Sequence, residues 1–113
     1  MSSKTSAIAT RTSATKHTLY TVPARNIAKW ELLYFVSLTG TDSPSVFWYD
    51  ASTNTEYKIF GAKNLGAGDY ILLNQAIVVL EEGDEIRVQN SGTQTVTYLV
   101  TLELVQNIAV SKR

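Results

Sequence analysis

Between residues 28 and 38 the chain alternates with a period of two. Ala28, Trp30, Leu32, Tyr34, Val36 and Leu38 fall on one face, and Lys29, Glu31, Leu33, Phe35 and Ser37 on the other. An eleven-residue run of this kind cannot present a helical stripe, because side chains two apart point the same way only on an extended backbone. One face is wholly apolar and the other half polar. Such a strand belongs to a sheet that packs on a core and is partly covered behind. The segment 96–105 repeats the pattern, with Val96, Tyr98, Val100, Leu102 and Leu104 set against Thr97, Leu99, Thr101, Glu103 and Val105.

Shorter strands separated by turn chemistry fill the interval. Residues 17–22 are β-rich and end at Pro23, which cannot donate to a ladder. A loop at 40–44 precedes a strand at 46–49, and a Ser/Thr/Asn-rich turn at 50–55 precedes one at 57–60. After the loop 64–69 come strands at 70–73, 77–80 and 86–88, and a hairpin turn at 90–93 leads into the last strand. The expected fold is all-β: a single antiparallel β-sandwich or jelly roll of about eight strands, with an extended N-terminal arm.

The chain has 113 residues and no cysteine, so one domain without disulfide staples is expected. Three parts are read: a basic Ser/Thr-rich arm at 1–16, a sandwich at 17–105 and a short tail at 106–113. Residues 1–29 carry five cations and no acid, whereas 30–111 hold all ten acids against three cations. A basic arm on an acidic body suits a reach onto an adjacent copy of the chain, and Lys4, Arg11 and Lys16 are the candidate contacts. A polar tail needs something to hold it; a neighbouring subunit is the expected holder. The arm shares a Ser-rich, acid-free composition with transit peptides, but Ile8 is its one large apolar residue beyond Met1, too little for an amphipathic face. No stretch reaches the roughly 18 apolar residues of a membrane helix.

Residues capable of chemistry are scattered. His17 stands alone, without the Cys or second His of a zinc site or a nucleophile context for a triad. Glu81, Glu82, Asp84 and Glu85 flank Gly83 in what reads as a tight, solvated turn rather than a calcium loop or glycosidase pair. Asp50 and Asp69 suit Asx-type turn bonding. The glycines at 66 and 68 have no following lysine or helix to hold a phosphate. The chain is therefore expected to be no enzyme, with no catalytic residues, metal or cofactor. Trp48 and Tyr49 could anchor a protein interface or stack a sugar; the acidic body argues against nucleic acid. The mixed-face residues Leu33, Phe35 and Leu99 join Trp48 and Tyr49 as candidate interface positions.

The punctuation LYTVPA at 19–24, the hairpin IVVLEEGDEIRV at 77–88 and the closing LEL at 102–104 together resemble the small β-sandwich virion proteins of tailed bacteriophages. The likeness spans about 18–105. Arg25 and Asn26 stand where that class has a glycine-containing turn after the proline. The resemblance implies a structural protein of the virion that decorates or cements a capsid, clasping neighbouring subunits with its termini. It implies a homo-oligomer, with a trimer favoured, and the major capsid protein or other virion subunits as partners. A head–tail connector, tail or baseplate component is the alternative, and a carbohydrate-binding module the third.

Overall fold

A computed structural model describes residues 2–61, 63–75 and 77–106. Those residues form nine strands and no helix: β1 (Ser2–Arg11), β2 (His17–Thr21), β3 (Asn26–Ser37), β4 (Ser45–Asp50), β5 (Thr55–Phe60), β6 (Tyr70–Leu73), β7 (Val78–Leu80), β8 (Glu85–Gln89) and β9 (Val96–Gln106). The first sheet runs β1-β9-β3-β6, with β7 also on β3; the second runs β2-β8-β4-β5. All pairings are antiparallel. β6 and β7 lie on successive stretches of the same side of β3, so they are two pieces of one interrupted strand. Counted that way, eight strand positions form two four-stranded sheets. Apart from the β4–β5 hairpin, each connection crosses to the other sheet. This is the winding of a jelly roll.

The segment expected as a free arm is the first strand of this sandwich. β1 pairs with β9 without interruption from Ser2↔Val105 to Arg11↔Val96. Its holder is its own chain, not a neighbouring subunit. Thr5, Ala7 and Ala9 face inward in a half-buried row while Lys4, Ser6, Ile8 and Thr10 face out and are exposed. Residues so small bury little area, so the ladder itself is what fixes this strand. The tail expected at 106–113 lies, after Gln106, outside the described residues.

The alternation in β3 holds only to Trp30. The register with β9 passes from Trp30↔Leu102 to Leu32↔Thr101, leaving Glu31 as an extra residue. This β-bulge inverts the parity of everything after it. Leu33, Phe35 and Ser37 turn inward and are fully buried, and Leu32, Tyr34 and Val36 turn outward. The Trp30 indole N–H donates to the Leu32 carbonyl at 3.1 Å and braces the kink. The gap between β7 and β6 lies opposite the same point.

The core is Trp30, Leu33, Phe35, Leu80, Tyr98, Val100 and Leu102 from the first sheet against Val46, Ile86 and Val88 from the second. Phe35 meets Phe60 edge-on at 5.1 Å and Tyr98 at 5.8 Å. Burial pushes the Tyr98 hydroxyl well above the ordinary tyrosine range. That hydroxyl donates to Asn90 Oδ1 at 2.6 Å, and Asn90 Nδ2 donates to the Arg11 and Gln94 carbonyls. The end of β1 is thereby tied to the core.

Candidate interaction surfaces

The motifs at 19–24 and 77–88 meet in one knot. The Val22 N–H donates to the Asp84 carbonyl at 2.9 Å, and the Gly83 N–H donates to the Val22 carbonyl at 3.0 Å. Gly83 has φ +84°, the left-handed conformation that glycine adopts without strain. Asp84 is buried, and its carboxylate accepts from Glu81 N–H at 3.0 Å, Ala51 N–H at 3.0 Å and the Trp48 indole at 3.2 Å. Of the four acids expected in a solvated turn, Glu81 and Glu82 are exposed, whereas Asp84 is buried and Glu85 is half-buried on β8. Burial satisfied by three donors makes Asp84 a structural anchor. Arg25, standing where a glycine was expected, takes φ +66° and donates its N–H to Glu82 Oε1 at 2.8 Å. The knot gives both motifs an architectural role in joining 22–25 to 81–84.

The outer face of the second sheet is covered by paired charges. Lys16 reaches Glu56 at 2.6 Å, Arg87 reaches Glu56 at 3.1 Å and Glu85 at 2.8 Å, and Thr18 donates to Glu85. Burial works to raise the Glu56 carboxyl, but hydrogen bonds from Lys16 and Arg87, with their charges, outweigh it and hold it below the usual range. The aromatic residues of this face lie under cations: Lys16 is 4.2 Å from the Phe47 ring and Arg87 is 3.9 Å from the Tyr49 ring.

The outer face of the first sheet differs. Ile8, Leu99, Tyr34 and Leu72 stand directly opposite one another on β1, β9, β3 and β6, an apolar row across the whole sheet. Ile8 is 67% exposed and Leu72 48%. The adjoining row ends in Val36 and Tyr70, with Tyr70 60% exposed and its ring 5.8 Å from that of Tyr34. Thr10 and Thr97 complete the row of Val36 and Tyr70 and share a hydroxyl hydrogen bond, as do Ser6 and Thr101 on the other side of the band. Lys4 pairs with Glu31 beyond them, which raises its amine above the ordinary lysine value.

The candidate residues thus separate. Leu33 and Phe35 are corrected from interface to core, because the Glu31 bulge reverses their face. Leu99 lies half-buried in the outward apolar row. Trp48 and Tyr49 point to opposite sides of β4 and form no common platform: Trp48 is stacked on Tyr57 at 5.1 Å, and Tyr49 is capped by Arg87. Lys4 and Lys16 are paired within the chain, and Arg11 Nε is buried without a hydrogen-bond partner. Leu32, Tyr34 and Val36 face outward, which the unbroken alternation hid, and Tyr70 and Leu72 of β6 are exposed beside them. His17 sits at the start of β2, its imidazole pKa lowered by burial and by the Arg11 charge.

Among the described residues no three His, Cys, Asp or Glu side chains gather as for a metal ion, and no helix is long and apolar enough to cross a membrane. The depressions are shallow. One of about 260 Å³ lies between Lys63 and Tyr70, with Asp69 in its wall accepting from the Gly66 N–H at 3.0 Å.

No family model matches the chain, and no curated protein sequence matches it. Solved structures do share its fold. A subunit of the Bacillus endospore appendages, described as a family of disulfide-linked pili, superposes with a TM-score of 0.57 at 15% identity, covering 94% of this chain and 88% of that one. A chain of the cyanophage Pam1 capsid asymmetric unit superposes with a TM-score of 0.51 at 12% identity, over 91% of this chain and 84% of that one. At such identities the likeness is one of fold.

Proposed function

We propose that this chain is a non-enzymatic structural subunit of a virion, decorating or cementing a capsid as part of a homo-oligomer. The observation that carries the reading is the contrast between the two outer faces. One is occupied by its own ion pairs and cation–aromatic contacts, and the other presents an apolar band from Ile8 to Leu72. An outward apolar band of this kind suits a protein-binding face. The motif resemblance to phage virion proteins supports the same reading, and the shared fold of a cyanophage capsid chain is compatible with it. Contact through this band takes the place of a clasp by a free N-terminal arm, since β1 is part of the sheet.

The test is the number of copies per purified particle, measured by calibrated mass spectrometry. A cement protein covering a lattice is present in roughly hundreds of copies, and a neck, tail or baseplate ring in about a dozen. The first result is expected, the second moves the subunit to the alternative location, and absence from particles refutes the virion role. Leu72→Asp, at the exposed end of the band, is expected to abolish binding to particles lacking the subunit while leaving the fold intact.

A further inference from the structure

Each sheet of an open sandwich ends in strands with unpaired backbone groups, and such edges pair with other chains unless something prevents it. Here most edges are blunted. β2 has five residues, a register shift between Thr18 and Tyr20, and Pro23 shortly after it. β5 has six residues, an irregular register beside Phe47, and Lys58 on its outer side. The β6/β7 edge is broken into pieces of four and three residues. β1 is the exception. It is ten residues long, has no proline and pairs with β9 without a bulge, and among the described residues no strand lies on its other side.

We propose that β1 is a dimerisation edge, pairing antiparallel with β1 of a second copy about a two-fold axis at Ile8, so that the two first sheets become one continuous sheet. Residues opposite each other on an antiparallel ladder share a face, so the two-fold must bring together positions of equal parity. Centred on Ile8, the overlap runs over residues 5–11. It sets Ile8 against Ile8 of the second copy, Ser6 against Thr10, Ala7 against Ala9, and Thr5 against Arg11. Each juxtaposition is compatible in chemistry. The Ser6–Thr10 pairs repeat the hydroxyl contacts that the same residues already make with Thr101 and Thr97 on β9. The two apolar rows join end to end through Ile8, covering the most exposed large apolar side chain among the described residues. Thr5 of the second copy comes beside Arg11, whose Nε is buried without a partner in the single chain. Lys4 falls outside the overlap, so no two cations are opposed. A three-fold ring built edge to edge would instead have to pair β1 with a different edge, each of which carries one of the devices above. The inference does not rest on the virion role.

The test uses the full chain, which has no cysteine of its own. Light scattering after gel filtration should give twice the mass of one chain. Under mild oxidation Ile8→Cys should cross-link with itself, because directly opposed residues on an antiparallel ladder have Cα atoms about 4.5–5.5 Å apart, within the span of a disulfide. Ser6→Cys and Thr10→Cys should each stay uncross-linked alone and cross-link when mixed. Ile8→Lys should fold and raise the dimer dissociation constant about tenfold or more, since like charges then face each other across the axis. Mixing it with Ile8→Asp should restore pairing. A monomer at all concentrations, or an oligomer whose cross-links avoid Ile8 or do not follow the 6-to-10 pairing, overturns the proposal. Either result leaves the virion role standing, and absence from particles would leave this dimer standing.

Discussion

Replacing Asp84 by alanine removes a carboxylate whose three protein donors are Glu81 N–H, Ala51 N–H and the Trp48 indole. Asp84 is 2% exposed, so the stranded donors have little water to turn to. A hydrogen bond to a charged acceptor contributes about 1.5–3 kcal/mol, and a donor left buried without a partner costs about 1–3 kcal/mol. Three full penalties would exceed what loops at 51 and 81 can sustain before they open to solvent. Partial rehydration brings the expected loss to about 3–5 kcal/mol. That is a large share of the roughly 5–15 kcal/mol that holds a domain together. Urea unfolding followed by Trp fluorescence measures it, and Trp48 itself reports on the site. Asp84→Asn keeps one acceptor oxygen and should lose about half as much. Glu81→Ala, in the same turn but exposed, should stay within about 0.5 kcal/mol of the parent. An Asp84→Ala variant within about 1 kcal/mol of the parent would refute the anchor.

Three further outcomes are expected. Leu33→Ala should cost about 2–5 kcal/mol by thermal or chemical unfolding, and Leu32→Ala distinctly less, because the bulge puts Leu33 inside and Leu32 outside. Glu56 titrates below its unfolded value, so its stabilisation is complete above the ordinary glutamate pKa of 4.5 and is lost as pH falls through the depressed folded value. Glu56→Gln should flatten that acid limb in a pH series of melting temperatures, by about 1 kcal/mol or less for a partly exposed pair. Deleting residues 2–11 should expose the β9 edge and yield an aggregating or unfolded chain on gel filtration, not merely a folded domain deprived of its partner.

The period of two, the turn residues and the two long strands were enough to read an all-β sandwich, and the strand positions agree closely. The parity of β3 was not legible, because a bulge is one residue inserted without change of composition. Its trace is the adjacent pair Leu32 and Leu33, which strict alternation should not contain. The consequence is instructive: the inference of a second apolar face was sound, but the residues on it are Leu32, Tyr34 and Val36. β1 escaped notice as a sheet strand for a different reason. Its inward side chains are Thr5, Ala7 and Ala9, which alternate in position but hardly in hydropathy, and backbone hydrogen bonds leave no mark in sequence. Asp84 looked like its acidic neighbours since nothing in a sequence tells a buried carboxylate from a solvated one.

The pairing of β1 with β9 joins residues near the two ends of the chain, Ser2 with Val105 and Arg11 with Val96. During synthesis the first strand therefore leaves the ribosome long before its partner exists. Contacts so distant in sequence form late and slow the folding of a sandwich. A hydrophobic strand left waiting through that interval would invite association with other nascent chains. Serine, threonine, alanine, two cations and a single isoleucine make a segment that can remain inert until β9 emerges, so the plain composition of β1 is a temporal safeguard as much as a structural choice.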